Sequence, residues 1–310
     1  MKLRIVFMGT PRFAVPCLGA LIGAGHAVAA AFTRKDKPVG RKQVLREPPV
    51  KALAREKGIP VFQPDTLRGP ETERILRNLD PDAIVVAAYG KILPKNILDL
   101  PRLGCVNVHA SLLPKYRGAS PVQQAVLDGE AETGVTTMRM AEGLDTGDIL
   151  LQERTPIGPD ETAGELTVRL SELGAGLIVK TLSALEAGTA TPVPQDEAGS
   201  SYAPMLTKER SPVDWTRTAR EIHNQVRGLS PWPGACAGFG AKRLKIHRSR
   251  VARDAGGTPG RVLPGRAFTV ACGGGTALEL LEVQPEGGKK MSGTDFLRGH
   301  PLQGTVLKNV

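Results

Sequence analysis

The stretch GCVNVHASLLPKYRG, residues 104–118, decides how this chain is read. It opens as a short apolar strand at Cys105-Val106 and then places Asn107 and His109 two residues apart. Strand side chains alternate between faces, so the amide and the imidazole emerge side by side. Ser111, Pro114 and Gly118 mark an irregular loop rather than continued sheet. Strand ends that run into loops are where open α/β sheets hold ligands. Two hydrogen-bond donors at such a place suit an oxyanion that forms during reaction. The plainer alternative is an Asn capping a turn beside a half-buried His. Downstream, AEGLDTGD at 141–148 is a glycine-interrupted acidic loop between two apolar runs. A carboxylate at Asp145 would orient His109 and favour its charged form. An ordinary Asp/Gly turn is the alternative there.

Outward from that strand, the chain alternates strand and helix. Leu3–Met8 is an apolar run ending at Gly9-Thr10-Pro11, with Thr10 placed to cap a helix and Pro11 to begin it. A second run, Ala27–Phe32, completes a strand–helix–strand unit whose natural reading is parallel. Helical patterns follow at Pro49–Lys57, Glu71–Leu79, Pro94–Leu98, Pro121–Asp128 and Glu161–Ala187, interleaved with strands at Ile59–Phe62, Ala83–Ala88, Gly134–Met140 and Ile149–Pro156. The run AIVVAA at 83–88 reads as a strand buried on both faces. The expected fold is α/β: a doubly wound, mostly parallel Rossmann-like sheet. No GxGxxG follows Gly9, which weakens a nicotinamide dehydrogenase.

Behind residue 188 the texture changes. Residues 1–188 form one expected domain, 189–206 (rich in Pro, Gly and Ser) a linker, and 207–310 a second domain. Short strands separated by glycine, at Arg243–His247, Gly260–Val262, Phe268–Ala271 and Ala277–Val283, suggest a small β-barrel. Trp232, between two prolines, reads either as a core plug or as part of a rigid surface turn. The net charge of +10 is concentrated here: residues 206–310 hold 17 Lys/Arg against 8 Asp/Glu, and the remainder 24 against 23. A localised basic face suits a polyanionic partner. A second basic stretch, RKDKPVGRKQVLR at 34–46, has six Lys/Arg, one Asp and no apolar period. It is the first part of a connection, Thr33–Pro49, expected to be unstructured and to contact a phosphate backbone.

Four scattered cysteines without a CxxC pair, and five histidines without metal-like spacing, give no reason for a disulfide framework or a metal. They suit a reducing compartment, and the chain carries no apolar run near the length of a bilayer span, so a cytoplasmic protein is expected. Covalent catalysis is disfavoured, because Ser111 lacks a GxSxG elbow and Cys105 lies within an apolar strand.

Taken together, NVHASLLPKYRGASP and GVTTMRMAEGLDTGDIL resemble the active-site signature of the folate-dependent formyltransferases. SPWPGA and KKMSGTDFLRG (289–299) resemble the second, oligonucleotide-fold-like (OB-like) domain of the same family. The resemblance covers nearly the whole chain and implies formyl transfer from 10-formyltetrahydrofolate, as co-substrate and without a metal, to the amino group of methionyl initiator tRNA. It assigns Asn107, His109 and Asp145 to catalysis, and Ser111, Leu112, Leu113, Pro114, Tyr89, Gly90 and Ile92 to the folate. Phe13 matches a residue near the methionyl group, although Arg12 stands where an acidic residue is expected. Arg41, with Lys42, matches the basic loop that enters the acceptor stem. Fold analogy suggests a monomer.

Rival readings separate on particular features. A glycinamide ribonucleotide transformylase shares Asn, His and Asp but ends before a domain like 206–310. Sugar-nucleotide formyltransferases and formyltetrahydrofolate hydrolases keep two domains, yet give no reason for the basic stretch 34–46 or the basic rear. A non-enzymatic RNA-binding module leaves the Asn/His/Asp set accidental and predicts RNA affinity without folate affinity.

Overall fold

The computed structural model describes residues 2–40, 43–253 and 256–309. In chain order the elements are β1 (Arg4–Gly9), α1 (Val15–Gly23), β2 (Ala27–Phe32), β3 (Lys37–Val39), β4 (Val44–Arg46), α2 (Pro49–Glu56), β5 (Val61–Phe62), α3 (Pro70–Leu79), β6 (Ala83–Ala87), α4 (Lys95–Leu98) and β7 (Cys105–His109). Next come β8 (Arg117–Gly118), α5 (Pro121–Leu127), β9 (Glu132–Arg139), β10 (Ile149–Pro156), α6 (Ala163–Glu186) and β11 (Tyr202–Ala203). The last are α7 (Ala219–Gly228), β12 (Ala235–Phe239), β13 (Lys242–Ala252), β14 (Thr269–Ala271), β15 (Ala277–Pro285), β16 (Met291–Ser292) and α8 (Gly293–Gly299). The chain forms two compact units. The first comprises Met1–Gly118, Thr133–Thr155 and Thr167–Tyr202; the second comprises Ala119–Glu132, Pro156–Leu166 and Ala203–Val310.

In the first unit a seven-stranded sheet runs β10-β9-β7-β6-β1-β2-β5. The pairs β7–β6, β6–β1, β1–β2 and β2–β5 are parallel, and β9 runs antiparallel to β7. The chain winds outward from β1 through β2 to β5, then returns to β6 on the other side. The order therefore reverses between β1 and β6, where such sheets open a ligand crevice. Every residue of β6 is buried, as expected of a strand covered on both faces. On one face Val6, Met8, Ile84, Val86 and Cys105 pack with Leu76 and Ile97 of α3 and α4. On the opposite face α6 approaches closely at Gly174, where a Cβ would sit 2.8 Å from a methyl of Val108. Alternation along β7 thus sends Val108 toward α6 and turns Asn107 and His109 to the other side.

Residues 34–46, expected to be unstructured, instead contain an antiparallel hairpin, with Lys37 opposite Arg46 and Val39 opposite Val44. Its turn uses left-handed backbone at Gly40 and Gln43. Thr10 does not cap a helix: the 3₁₀ turn Arg12–Ala14 has Pro11 as its cap, without a side-chain bond. The expected linker is also fastened down, since Val193 and Ile149 exchange backbone hydrogen bonds of 2.8 and 2.9 Å.

The second unit closes a small barrel. The sheet β12-β13-β15-β14, with β16 beside β15, is antiparallel throughout. Beyond β14 the ring continues through residues 260–263, where Ala271 N–H donates to the Arg261 carbonyl and Leu263 N–H to that of Thr269. The C-terminal segment completes it: Leu307 bonds to Gly260, and Lys308 and Gly238 exchange bonds of 2.7 and 2.9 Å. Closure removes the open edges that an antiparallel sheet otherwise exposes. Phe239, Phe268 and Phe296 fill the interior with Leu244, Ile246 and Leu280. Trp232 is 53 % exposed, so it is a surface residue and not a core plug.

Candidate active site

The loops at the C-terminal ends of β1, β2 and β6 are tied by one hydroxyl. Thr10 Oγ1 donates to the Tyr89 carbonyl (3.3 Å) and accepts the Arg34 N–H (3.2 Å). The exit of β6 is bent by left-handed backbone at Ala88 (φ 46°) and Gly90 (φ 75°). Such conformations in a non-glycine residue cluster at ligand sites. Tyr89 itself turns inward: its ring is buried, its hydroxyl has no partner among the described residues, and burial pushes that phenol up to about 12. With its ring inside, Tyr89 presents no side-chain donor to a ligand at this turn. Ile92, by contrast, is an apolar side chain 70 % exposed. Phe13 is half-buried in the turn that follows β1.

At the end of β7 the three proposed catalytic side chains meet unequally. His109 Nε2 donates to the Tyr116 carbonyl at 2.9 Å. Its Nδ1 lies 3.7 Å from Asp145 Oδ2, an electrostatic contact too long for a hydrogen bond. That oxygen accepts the Gly118 N–H at 2.8 Å. An imidazolium has a proton for each side, the carbonyl and the carboxylate. Asn107 is almost buried, yet its carboxamide has no protein partner among the described residues, and it is not sealed from solvent. It keeps both N–H donors for a ligand. Asn107, His109 Nδ1 and Asp145 therefore share one side of β7.

The loop expected to hold folate is largely occupied with itself. Ser111 is fully buried, its hydroxyl donates to the Lys115 carbonyl (2.6 Å), and its carbonyl accepts from Thr136 (2.7 Å). Leu113 is buried, its N–H bonded to Thr136 Oγ1 and its carbonyl to Gln152 Nε2. Leu112 and Pro114, half-buried, are the members of SLLP with surface to offer. Arg41 and Lys42, expected to meet the tRNA, lie outside the described residues.

Three residues missed in the sequence hold the site together. Gln195 Nε2 donates to the carbonyls of Asp145 (2.8 Å) and Gly147 (2.7 Å). Its Oε1 accepts two bonds from the Arg117 guanidinium, which also forms a bidentate pair with Glu197. Gln195 and Glu197 are hidden in a Pro/Gly/Ser-rich run whose composition signals a linker; the isolated Gln there carries no recognisable pattern.

Burial pushes the thiols of Cys17, Cys105 and Cys272 up to about 12, far from thiolate chemistry at neutral pH. No cluster of three or more His, Cys, Asp or Glu with metal-binding geometry occurs among the described residues.

A doubly wound sheet that sets donors and a carboxylate at the mouth of a strand suits chemistry in which negative charge develops on an oxygen. The family model "Formyl transferase" matches residues 1–182, and "Formyl transferase, C-terminal domain" matches 205–301. The chain belongs to the formyltransferase family, and is a one-carbon transferase. Similar proteins named methionyl-tRNA formyltransferase include that of Acidobacterium capsulatum, 53 % identical over 97 % of each chain. That of Trichlorobacter lovleyi is 51 % identical over 98 % of this chain and 96 % of its own. Among solved structures, an N-formyltransferase from Helicobacter canadensis, in complex with folinic acid and dTDP-3-aminofucose, aligns with a TM-score of 0.68. It is 21 % identical and the match covers 90 % of this chain and 99 % of that one. HypX from Aquifex aeolicus gives 0.66 at 18 % identity, covering 96 % of this chain and 49 % of that one. At these identities the likeness is one of fold.

Proposed function

We propose that this enzyme transfers the formyl group of 10-formyltetrahydrofolate to the free amino group of methionyl initiator tRNA. The observation that carries the chemistry is the free Asn107 carboxamide beside a His109 whose Nδ1 faces Asp145. Attack of the amine on the formamide carbon forms a C–N bond and places negative charge on the formyl oxygen. Asn107 and His109 Nδ1 are the donors for that oxygen. As the intermediate collapses, the C–N bond to the folate breaks, and the proton leaving the attacking amine must reach the departing nitrogen. Asp145, solvent-accessible beside the ring, is the group placed to relay it through water.

The acceptor reading rests on the relatives named methionyl-tRNA formyltransferase and on charge. Arg243 and Lys245 stand side by side on the outer face of β13, exposed, with no carboxylate paired to their side chains among the described residues. Such a row is the footprint of a phosphate backbone. In this reading the backbone at Tyr89-Gly90 and the side chains of Ile92, Leu112 and Pro114 border the folate. Ser111 and Leu113 fix the loop's shape, Phe13 lies near the methionyl group, and Arg41 and Lys42 engage the acceptor stem. The enzyme works as a cytoplasmic monomer.

The test is formylation of charged initiator tRNA, charged elongator tRNA and free methionine with 10-formyltetrahydrofolate. Formylation of the initiator in strong preference to the other two is expected; equal rates, or none, would refute the acceptor assignment. Arg41→Ala should lose activity toward initiator tRNA while folate binding stays near normal. A matching collapse of folate affinity would show that loop and cofactor roles are not separate.

A further inference from the structure

The segment 193–202 does more than connect. It grips both groups that flank the His109 ring. Ser201 accepts the N–H of Tyr116 at its hydroxyl (2.9 Å) and that of Arg117 at its carbonyl (2.8 Å), which fixes the turn whose carbonyl receives His109 Nε2. On the other side, Gln195 Nε2 bonds the carbonyls of Asp145 and Gly147. That turn needs a clamp. Asp145 has left-handed backbone (φ 52°), and a Cβ at Gly147 would lie 1.7 Å from the Arg139 carbonyl oxygen. Gln195 cannot rotate freely either, since Arg117 Nε and Nη2 hold its Oε1 at 3.0 and 2.9 Å. The amide is thereby fixed with its nitrogen toward the loop. Arg117 is in turn oriented by Glu197 through bonds of 2.9 and 2.8 Å.

We propose that Gln195 is a positioning residue, clamped by Arg117, which holds the 145–147 turn so that the Asp145 carboxylate faces His109. This rests on the reading of His109 and Asp145 as part of the formyl-transfer machinery. Both atoms of the Gln195 amide are taken by protein partners, so its effect passes through Asp145. A displacement of about 1 Å at a catalytic group costs up to about 10²-fold in rate. A residue that works only through another shows no further effect once its target has been removed.

The variant Gln195→Met keeps the length of the side chain and removes the amide. Its kcat should fall by roughly tenfold to a hundredfold, with KM for both substrates within about twofold of wild type. In long-range ¹H–¹⁵N spectra its His109 ring resonances should move toward their positions in Asp145→Asn. The double variant should be no slower than Asp145→Asn alone. An unchanged kcat with unmoved His109 resonances, or effects that multiply in the double variant, would overturn the proposal. Should Gln195→Met fail to fold, Arg117→Lys, which keeps the charge and loses the paired bonds to Oε1, must show the same pattern. A wild-type protein inactive on methionyl-tRNA would instead sink the proposed function, and the resonance shift in the free protein would still decide the role of Gln195.

Discussion

Asn107 and His109 sit two residues apart on one strand, yet the fold uses their bonding capacity differently. His109 has given Nε2 to the Tyr116 carbonyl, whereas the Asn107 amide has no protein partner among the described residues. Asn107→Ala should therefore leave thermal stability near wild type and lower kcat by about 10²–10³-fold, the usual effect of losing an oxyanion donor. A comparable fall in melting temperature would mark Asn107 as structural. Asp145→Asn should likewise depress turnover with little change in tRNA affinity, read by steady-state kinetics beside a direct binding assay. Gly147→Ala belongs to this scale as well. The new methyl cannot coexist with the Arg139 carbonyl, so both turnover and melting temperature should fall. The placement of Asn107 and His109 was legible because strand alternation needs only the sequence. The inward turn of Tyr89 was not, nor the bond to the Ser111 carbonyl, since the first depends on packing against distant residues such as Met8 and Phe32 and the second on Thr136, twenty-five residues on.

Elements were legible where hydrophobic period and length agreed, as in β6 and β10. They were missed where charge hid the pattern. β13 extends from Lys242 to Ala252, twice the expected strand, because its outward positions are Arg and Lys and two register shifts interrupt its alternation. The β3–β4 hairpin has no readable period either: its strands are three residues long, and every residue of β4 is exposed. Two helix starts carry a signature of their own, since Thr162-x-x-Glu165 and Thr218-x-x-Glu221 are both capping boxes. Glu165 accepts the Thr162 N–H and hydroxyl and an Arg248 N–H, which hold its carboxyl at about 2 instead of the ordinary 4.5. A carboxyl depressed on folding stabilises fully above the unfolded value, and that contribution is lost as pH falls from about 4.5 toward 2. Thr162→Ala should cost about 1 kcal/mol near neutral pH. The gap between its unfolding curve and that of wild type should narrow on acidification. A gap independent of pH would mean the box contributes through packing alone. Deeper in the second unit, Arg227 donates to the carbonyls of Val126, Gly158 and Glu161 and to Asn224 Oδ1. Arg227→Leu would strand buried acceptors at about 1–3 kcal/mol each, and should lower the melting temperature more than Thr162→Ala does.

At the scale of the molecule, charge and chemistry separate along the chain. The Asn107–His109–Asp145 set lies in the first unit, whereas most of the excess positive charge lies beyond residue 205. Charge reversal at Arg243 and Lys245 should raise KM for tRNA and leave the chemical step alone. It should also flatten the dependence of log KM on log salt by roughly one unit for each phosphate no longer neutralised. Equal effects on folate kinetics would contradict that division. Composition made the basic rear visible, but its closure into a barrel was legible only as a guess from short strands, because the closing bonds to residues 305–308 come from a tail with no strand pattern. In the proposed reaction Asn107 and His109 stabilise a formyl oxyanion while the amine of methionyl-tRNA attacks. Single-turnover transfer from 10-formyltetrahydrofolate to charged initiator tRNA, with tRNA and folate both saturating, measures that step most directly. Rapid N-formylmethionyl-tRNA formation is expected in wild type, with a loss of about 10²–10³-fold in Asn107→Ala at unchanged substrate affinity. A variant as fast as wild type would contradict it.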